Sequence, residues 1–471
     1  MKKYSKILLI AVCVFLLAGC DFLNVEKLGQ NDIPKTFSNM DGLRTAKVGM
    51  YRELYDFYDG SGYMKYAEIA ADMVDLTPTA TDMLVQYNYV SRPEDVTTVV
   101  EYIWRDGYSV LANANNILYY APGLRDAFPN SAKEIDLIRA QALFVRALAH
   151  FMLCNTYAQP YNYTSDASHP GVPALTRLAG SSDLVGRNTV AEVYKRITDD
   201  LQEACTLFGS NNVNSPYEIT YRACKALQAR IYLYMGNMES AAECASEVMK
   251  SMALTPRDKY ESMMHADIAG DETIFRIDGL NISSHALRTF YATDGPAIAS
   301  SKLRNTFYDA GDIRWQMVSG RTIRKYHNAK EDITGTTKPA EKDIPYAPFI
   351  LRLSEMYLIR AEAYCGLNQL DAAAADLKAI IARAMGKTVA EVGLSYTNAA
   401  DLMNIIERER ILELTGEGHR FFDLIRWKRG VERSPDTNSY VKTMTYPNNK
   451  FILPITRTEM DGNKGMTQNP M

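Results

Sequence analysis

The stretch from Lys133 to Tyr157 constrains the fold more than any other part of the chain. Ile135, Ile138, Ala142, Val145, Ala149 and Met152 recur at steps of three and four, which puts them on one face of an α-helix. Leu143, Leu148 and Phe151 widen that stripe, so the helix is apolar around much of its circumference. It needs cover on several sides. Gln159-Pro160 ends it, because proline lacks the amide hydrogen of the next turn.

The covering elements are also helical. Ser38 to Phe57 carries Met40, Leu43, Ala46, Met50 and Leu54 at helical spacing, and Val99 to Tyr120 is predicted as a second helix. Thr189 with Glu192 three residues on forms a capping box that starts a helix running to Leu207. Tyr221–Met235 and Met238–Met249 form a pair joined at Gly236-Asn237. The pattern returns 130 residues later: Arg230, Tyr234, Gly236, Ala242 and Ala245 line up with Arg360, Tyr364, Gly366, Ala372 and Ala375. Glycine permits a left-handed cap, and alanine lets the second helix lie close to the first. Such units resemble tetratricopeptide helix pairs, which stack to bury a shared core. A mainly α fold follows, with pairs near 133–207, 219–250 and 352–385, and a last long helix from Leu402 to Trp427.

Two segments break the pattern. Gly60-Ser61-Gly62, Pro78 and Pro93 punctuate residues 58–100; Pro296, Pro339, Pro345 and Pro348 punctuate an irregular insertion at 255–349. Few strands are expected: Glu272–Arg276 within the insertion and a strand-like Lys450–Ile455 near the end. Irregular segments mounted on rigid helices are where binding residues collect.

The N-terminus is a processing signal and not part of the fold. Lys2, Lys3 and Lys6 precede an apolar run from Ile7 to Leu17, and Leu17-Ala18-Gly19-Cys20 closes it. Eleven apolar residues fall short of the ~20 that span a bilayer. Small residues packed against a cysteine resemble the bacterial lipobox. Residues 1–19 are therefore read as a lipoprotein signal peptide, Cys20 as the lipidated residue, 20–35 as a tether and 36–471 as the helical body. Each acyl methylene buried contributes about 0.8 kcal/mol, so several chains hold such a protein to one leaflet.

Charge and motifs exclude whole classes of function. With 52 basic and 56 acidic residues and no basic stripe, nucleic acid is not an expected partner. No G-x-S-x-G, P-loop or H-E-x-x-H occurs, and the six histidines are scattered, so no enzyme, cofactor or metal site is predicted. No carboxylate pair stands out for glycoside hydrolysis. Cys154, Cys205, Cys224, Cys244 and Cys365 are an odd set without a C-x-x-C; Cys224 and Cys244 lie on successive helices, but buried free thiols are the preferred reading. The charged run Glu407–Trp427 places Glu413, Glu417, Arg420, Asp423 and Arg426 at helical spacing with alternating sign, fitting an ion-paired helix docked on the core more than a ligand site. Tyrosine outnumbers phenylalanine by 30 to 15. Rings with a polar handle stack on sugars or fill interfaces, and Tyr87, Tyr89, Tyr291 and Trp315, in the irregular segments, are the candidate ligand platform.

Several segments together resemble the SusD/RagB family of nutrient-binding surface lipoproteins. They are Trp104-x-x-x-Tyr108 with Ala114-Asn115, Arg139 and Arg146-Ala147, Val193-Tyr194 with Asp200-Leu201, and Ala226 to Gly236. Leu351-Arg-Leu-Ser-Glu355-x-Tyr-Leu-Ile-Arg-Ala-Glu-Ala363, Glu417-Gly-His-Arg-Phe-Phe-Asp-Leu-Ile-Arg-Trp427, Pro454-Ile455, Glu459 and Asn469-Pro470 complete the set. The resemblance implies a SusD-like fold with a loop-rich ligand face. It further implies a non-catalytic binder of glycan or oligosaccharide at the outer membrane, facing the exterior, that delivers its ligand to a SusC-like TonB-dependent transporter. It carries over no ligand-contacting residue. The alternative is a tetratricopeptide-type lipoprotein that binds peptides or proteins.

Overall fold

The computed structural model describes residues 33–471 except 178–179, 181–182, 210–214, 280, 283, 308–310 and 327–343. Cys20 and the signal segment lie outside the described residues.

The predicted central helix spans Ala132–Tyr157, and every residue from Ala140 to Tyr157 is buried. We label it α3, after α1 (Met40–Tyr55) and α2 (Val99–Ala127). By length and composition the stretch Pro129–Tyr157 is apolar enough to cross a membrane, but 89% of its apolar window is covered by the protein itself. It is a core helix. The cover comes from α2 on one side and α4 (Val190–Phe208) on the other, with α1 packed against α2. Thr189 and Glu192 make the expected reciprocal capping box at the start of α4.

The stack continues through α5 (Tyr221–Met235) and α6 (Met238–Met249), then α7 (Leu353–Gly366), α8 (Leu370–Met385) and α9 (Ala399–Leu414). The insertion separates α6 from α7, yet the two pack directly. Its base is closed by β2 (Thr273–Arg276) pairing antiparallel with β6 (Phe349–Arg352). The repeat register differs from the letter match. Tyr221 and Leu353 open the first helices, Met238 and Leu370 the second, and the left-handed cap is Gly236 in one copy and Asn368 in the other, an offset of 132. Gly366 is still helical; it is small because a Cβ there would sit 3.2 Å from Met238. Arg360 then stitches the units, bonding Asp376 at 2.6 and 2.8 Å and Ser246 of α6 at 3.1 Å.

Residues 58–100 are more ordered than predicted, with short helices at Tyr63–Ile69 and Leu84–Tyr87 and strand β1 (Val74–Leu76). β1 pairs antiparallel with β3 (Ala297–Ala299), so the two irregular segments meet. Lys450–Ile455 joins no β-ladder. A 3-10 turn opens it, and the Leu453 amide bonds the Thr156 carbonyl at the end of α3 instead of a neighbouring strand. The predicted helix Leu402–Trp427 is also broken: α9 ends at Leu414 and α10 is Arg420–Arg426. Gly416 and Gly418 between them have φ of 86° and 76°.

Residues distant in sequence that carry the family resemblance meet in space. Arg146 bonds Asp200 at 2.7 Å and Asn115 at 2.9 Å; the Trp104 indole N–H reaches Glu459 at 3.3 Å; Arg426 and Trp427 both donate to Glu362. All five cysteines in the described residues are free and buried, so the Cys224–Cys244 bridge is not formed.

Candidate functional site: two concavities on a charged frame

Behind the insertion lies a buried lattice of charges. Arg352, the last residue of β6, bonds Glu417 at 2.7 Å, Glu413 at 2.7 Å and Glu272 at 3.0 Å. Arg383 of α8 reaches Glu272 and Glu413, Lys325 reaches Glu417 at 2.5 Å, and Arg314 reaches Asp312 at 2.7 Å and Glu409 at 2.8 Å. All these side chains are buried. Withdrawing an ion from water costs several kcal/mol, so each survives only by its partners. Burial alone would raise Glu413, but the guanidiniums of Arg383, Arg352 and Arg314 outweigh it and hold the carboxyl well below its usual range. The Glu407–Trp427 run is therefore framework: Arg410 and Arg426 pair with Asp423, and Arg420 with Asp72 and Glu407.

The lattice fixes one predicted ring in place. Ile313–Met317 is a 3-10 turn capped by the Asp312 side chain, and Ile313, Arg314 and Met317 point inward. Trp315 and Gln316 are left facing out, Trp315 half-buried with its ring edge-on to Phe307 at 5.1 Å. The hairpin β4 (Val318–Ser319) and β5 (Thr322–Ile323) follows, turning at Gly320 with φ 62°. Trp315, Gln316 and Gly320 with Glu261 and Arg324 line a concavity of about 290 Å³. An aromatic face, an amide, a guanidinium and a carboxylate around one hollow suit a ligand with apolar C–H faces and many hydroxyls.

A second concavity, about 240 Å³, lies between residues 86–92 and 449–454, with Tyr66 and Tyr89 in its wall and Asn469 to Met471 at one end. Tyr89 takes a left-handed φ of 54°, donates its hydroxyl to the Ala70 carbonyl and is only 6% exposed.

The four predicted rings do not form one platform. Tyr87 is 1% exposed, its hydroxyl 2.7 Å from Asp75 and its ring beneath the Arg433 guanidinium. Tyr291 is 2% exposed and stacks on Tyr326. Burial pushes its hydroxyl well above the ordinary tyrosine range. Neither has a face to offer a ligand: their polar handles are spent inside, or orphaned, as the Tyr291 hydroxyl is. Of the four, Tyr89 lines the second concavity and Trp315 the first. Glu261, Gln316 and Arg324 were missed because no motif marks them. Trp315 itself, one of three tryptophans, was the only signal. Among the described residues no cluster of histidine, cysteine and carboxylate side chains is arranged to hold a metal.

Comparison with known proteins fits this geometry. A SusD-like family described as "Starch-binding associating with outer membrane" matches residues 21–233, and the SusD family matches residues 305–471. SusD-like protein P2 of Formosa agariphila is 24% identical, the match covering 100% of this chain and 99% of its own. A SusD superfamily protein from Bacteroides thetaiotaomicron shares the fold with a TM-score of 0.79 at 24% identity, over 92% of this chain and 100% of its own. A laminarin-binding SusD-like protein superposes with a TM-score of 0.69 at 18% identity, over 92% of this chain and 99% of its own. SusD-type family models thus match two stretches of the chain in turn, the first of them described as starch-binding and associating with the outer membrane.

Proposed function

We propose that this protein binds a glycan or oligosaccharide nutrient without catalysis, and delivers it to a SusC-like TonB-dependent transporter while anchored to the outer membrane through lipid on Cys20, facing the exterior. The Trp315 concavity carries the reading. Its indole is half-exposed, makes no hydrogen bond through its N–H among the described residues, and is set beside Gln316, Arg324 and Glu261 on a rigid frame. A pyranose ring stacks its C–H face on such an indole while its hydroxyls meet the polar groups. The laminarin-binding relative, with the same fold, adds support.

Titration calorimetry of Trp315→Ala against laminarin and starch oligosaccharides tests the site. Stacking of about 0.5–1.5 kcal/mol predicts about 2- to 12-fold weaker binding with an unchanged melting temperature. Equal affinity in the variant moves the site elsewhere. For the anchor, mass spectrometry of the mature protein should find an acylated Cys20, and detergent pull-down should recover a large β-barrel. An unmodified N-terminus or no barrel overturns those parts separately.

The peptide-binding alternative has one observation in its favour. A concavity of about 460 Å³ between α6 and α7 is lined by Glu239, Glu243, Glu247, Tyr364 and Leu367. Peptide binding there, with no saccharide bound anywhere, would select it.

A further inference from the structure

We infer a second ligand site in the concavity between residues 86–92 and 449–454, and assign it to an anionic saccharide carrying carboxylate or sulfate groups. The inference rests on the proposal that the protein binds glycans, and concerns a place that shares no residue with the Trp315 concavity.

The groove is pre-formed. Asn469 at its end is held by three bonds, donating to the Tyr157 and Leu453 carbonyls at 2.8 and 2.7 Å and accepting from Arg187 at 2.7 Å. Leu453 is tied by its amide to Thr156 at 2.9 Å, and Tyr89 to Ala70. Thr156 and Tyr157 belong to the buried C-terminal end of α3 and Ala70 to the turn after Tyr63–Ile69, so the walls are tied to the core.

Its charged side chains are both basic. Arg92 and Lys450 face it, both exposed, and among the described residues neither forms an ion pair. No lining residue has an acidic side chain, although acidic residues outnumber basic ones 56 to 52 in the whole chain. Exposed cations elsewhere are commonly answered: Arg44 pairs with Asp41 and Glu134, Arg52 with Asp56, and Lys195 with Asp199. Ser91 also lines the groove, and its hydroxyl is buried behind the surface without a partner.

The remaining wall decides the class of anion. Pro470 is exposed and gives apolar surface that fits the C–H face of a sugar, with Ile452 and Pro454 buried beside it. The rings of Tyr66 and Tyr89 are 2% and 6% exposed, so they offer no stacking face to a nucleobase. At about 240 Å³ the space falls below the roughly 300 Å³ of a drug-sized pocket and suits a single acidic sugar unit of a longer chain.

The test uses the full-length protein with oligogalacturonate, its methyl-esterified form, a sulfated oligosaccharide, a neutral β-glucan and an acidic peptide as probes. The wild type should bind the carboxylate or sulfate saccharide in a salt-sensitive way and the esterified form more than about tenfold less tightly. The double variant Arg92→Gln/Lys450→Gln should lose that preference while keeping its neutral-glucan affinity and melting temperature; Trp315→Ala should do the reverse. Acidic saccharide binding that ignores the double substitution, or no acidic saccharide binding beside intact glucan binding, overturns the groove and leaves the Trp315 site standing. Equal binding of the acidic peptide at the groove overturns the saccharide assignment. No binding of any saccharide overturns both.

Discussion

The helical stack and the junction beneath the insertion are equally buried and are held together by opposite means. In α3 the continuous interior from Ala140 to Tyr157 is mostly aliphatic and aromatic; Gln141, His150, Asn155 and Thr156 add uncharged polar groups, and Arg146 is paired to Asp200. At the junction, Arg314, Arg352, Arg383, Glu272, Glu409 and Glu413 occupy the same kind of dry space. Apolar packing tolerates small adjustments, whereas a charge lattice holds one geometry or loses partners. The Trp315 turn is fastened to the second kind of interior. Arg314 is held by Asp312 and Glu409, and Trp315 is the next residue. The body of the protein is the forgiving region, and the mount of the Trp315 turn is the exacting one.

Glu413→Ala should break this contrast most sharply. Arg352 and Arg383 would lose the carboxylate they share, an uncompensated burial costing about 3–5 kcal/mol in chemical denaturation. Leu148→Ala in α3 is the matching probe, at about 2–5 kcal/mol. Their pH responses separate them. Glu413 is held below its ordinary value, so its contribution is present above about pH 4.5 and fades as the pH falls through its lowered value. The deficit of Glu413→Ala should shrink in acid while that of Leu148→Ala stays constant. A deficit for Glu413→Ala near that of an exposed pair, about 0–1 kcal/mol, would mean the lattice is slack.

Glu68 sharpens the comparison from the other side. It is buried against the Gly416–Gly418 turn, accepts the Gly418 amide at 2.6 Å, and has one oxygen without a partner. Burial pushes its carboxyl from 4.5 up to about 7. Between those values the unfolded chain has released a proton the folded chain retains, so stability falls as pH rises through the window and is flat above it. Glu68→Gln keeps the acceptor for Gly418 and removes the titration. Relative to wild type, it should gain on the order of 2–3 kcal/mol between pH 4 and 8. A constant difference across that range would show that Glu68 ionises freely in the folded protein.

The same division explains what the sequence made visible. α3 through α6 begin and end within a residue or two of expectation, because apolar periodicity, the Thr189–Glu192 box and Gly236 are local signals. The break at Gly416–Gly418 was written in two glycines but hidden by an uninterrupted run of charges at helical spacing. The structure agrees with the ionic reading of Glu407–Trp427, yet its partners Asp72, Arg314 and Glu362 lie far away in sequence, so no spacing rule reaches them. Aromatic content misled for a related reason. Tyr87 and Tyr291 satisfy the same preferences in the interior as they would against a sugar, and only burial tells the two apart. Of the four rings, the one on the charged mount is the one left accessible.

The smallest effect bears on the stack alone and concerns the register of its repeat. The letter match at 130 residues makes Gly236 and Gly366 equivalent caps; the backbone makes Gly236 and Asn368 equivalent, with φ of 77° and 58°. An L side chain in the left-handed region costs about 1–2 kcal/mol, less for asparagine, whose short amide tolerates it. Gly236→Ala should therefore destabilise by about 1 kcal/mol, and Asn368→Gly should be neutral or stabilise by a few tenths. Gly366→Ala decides between the registers. In helical backbone it gains up to about 1 kcal/mol of propensity, set against a 3.2 Å approach to the flexible Met238 side chain. It should thus cost less than Gly236→Ala in thermal melts. Equal losses at 236 and 366, with Asn368→Gly destabilising, would restore the 130-residue register and make the second cap a glycine like the first.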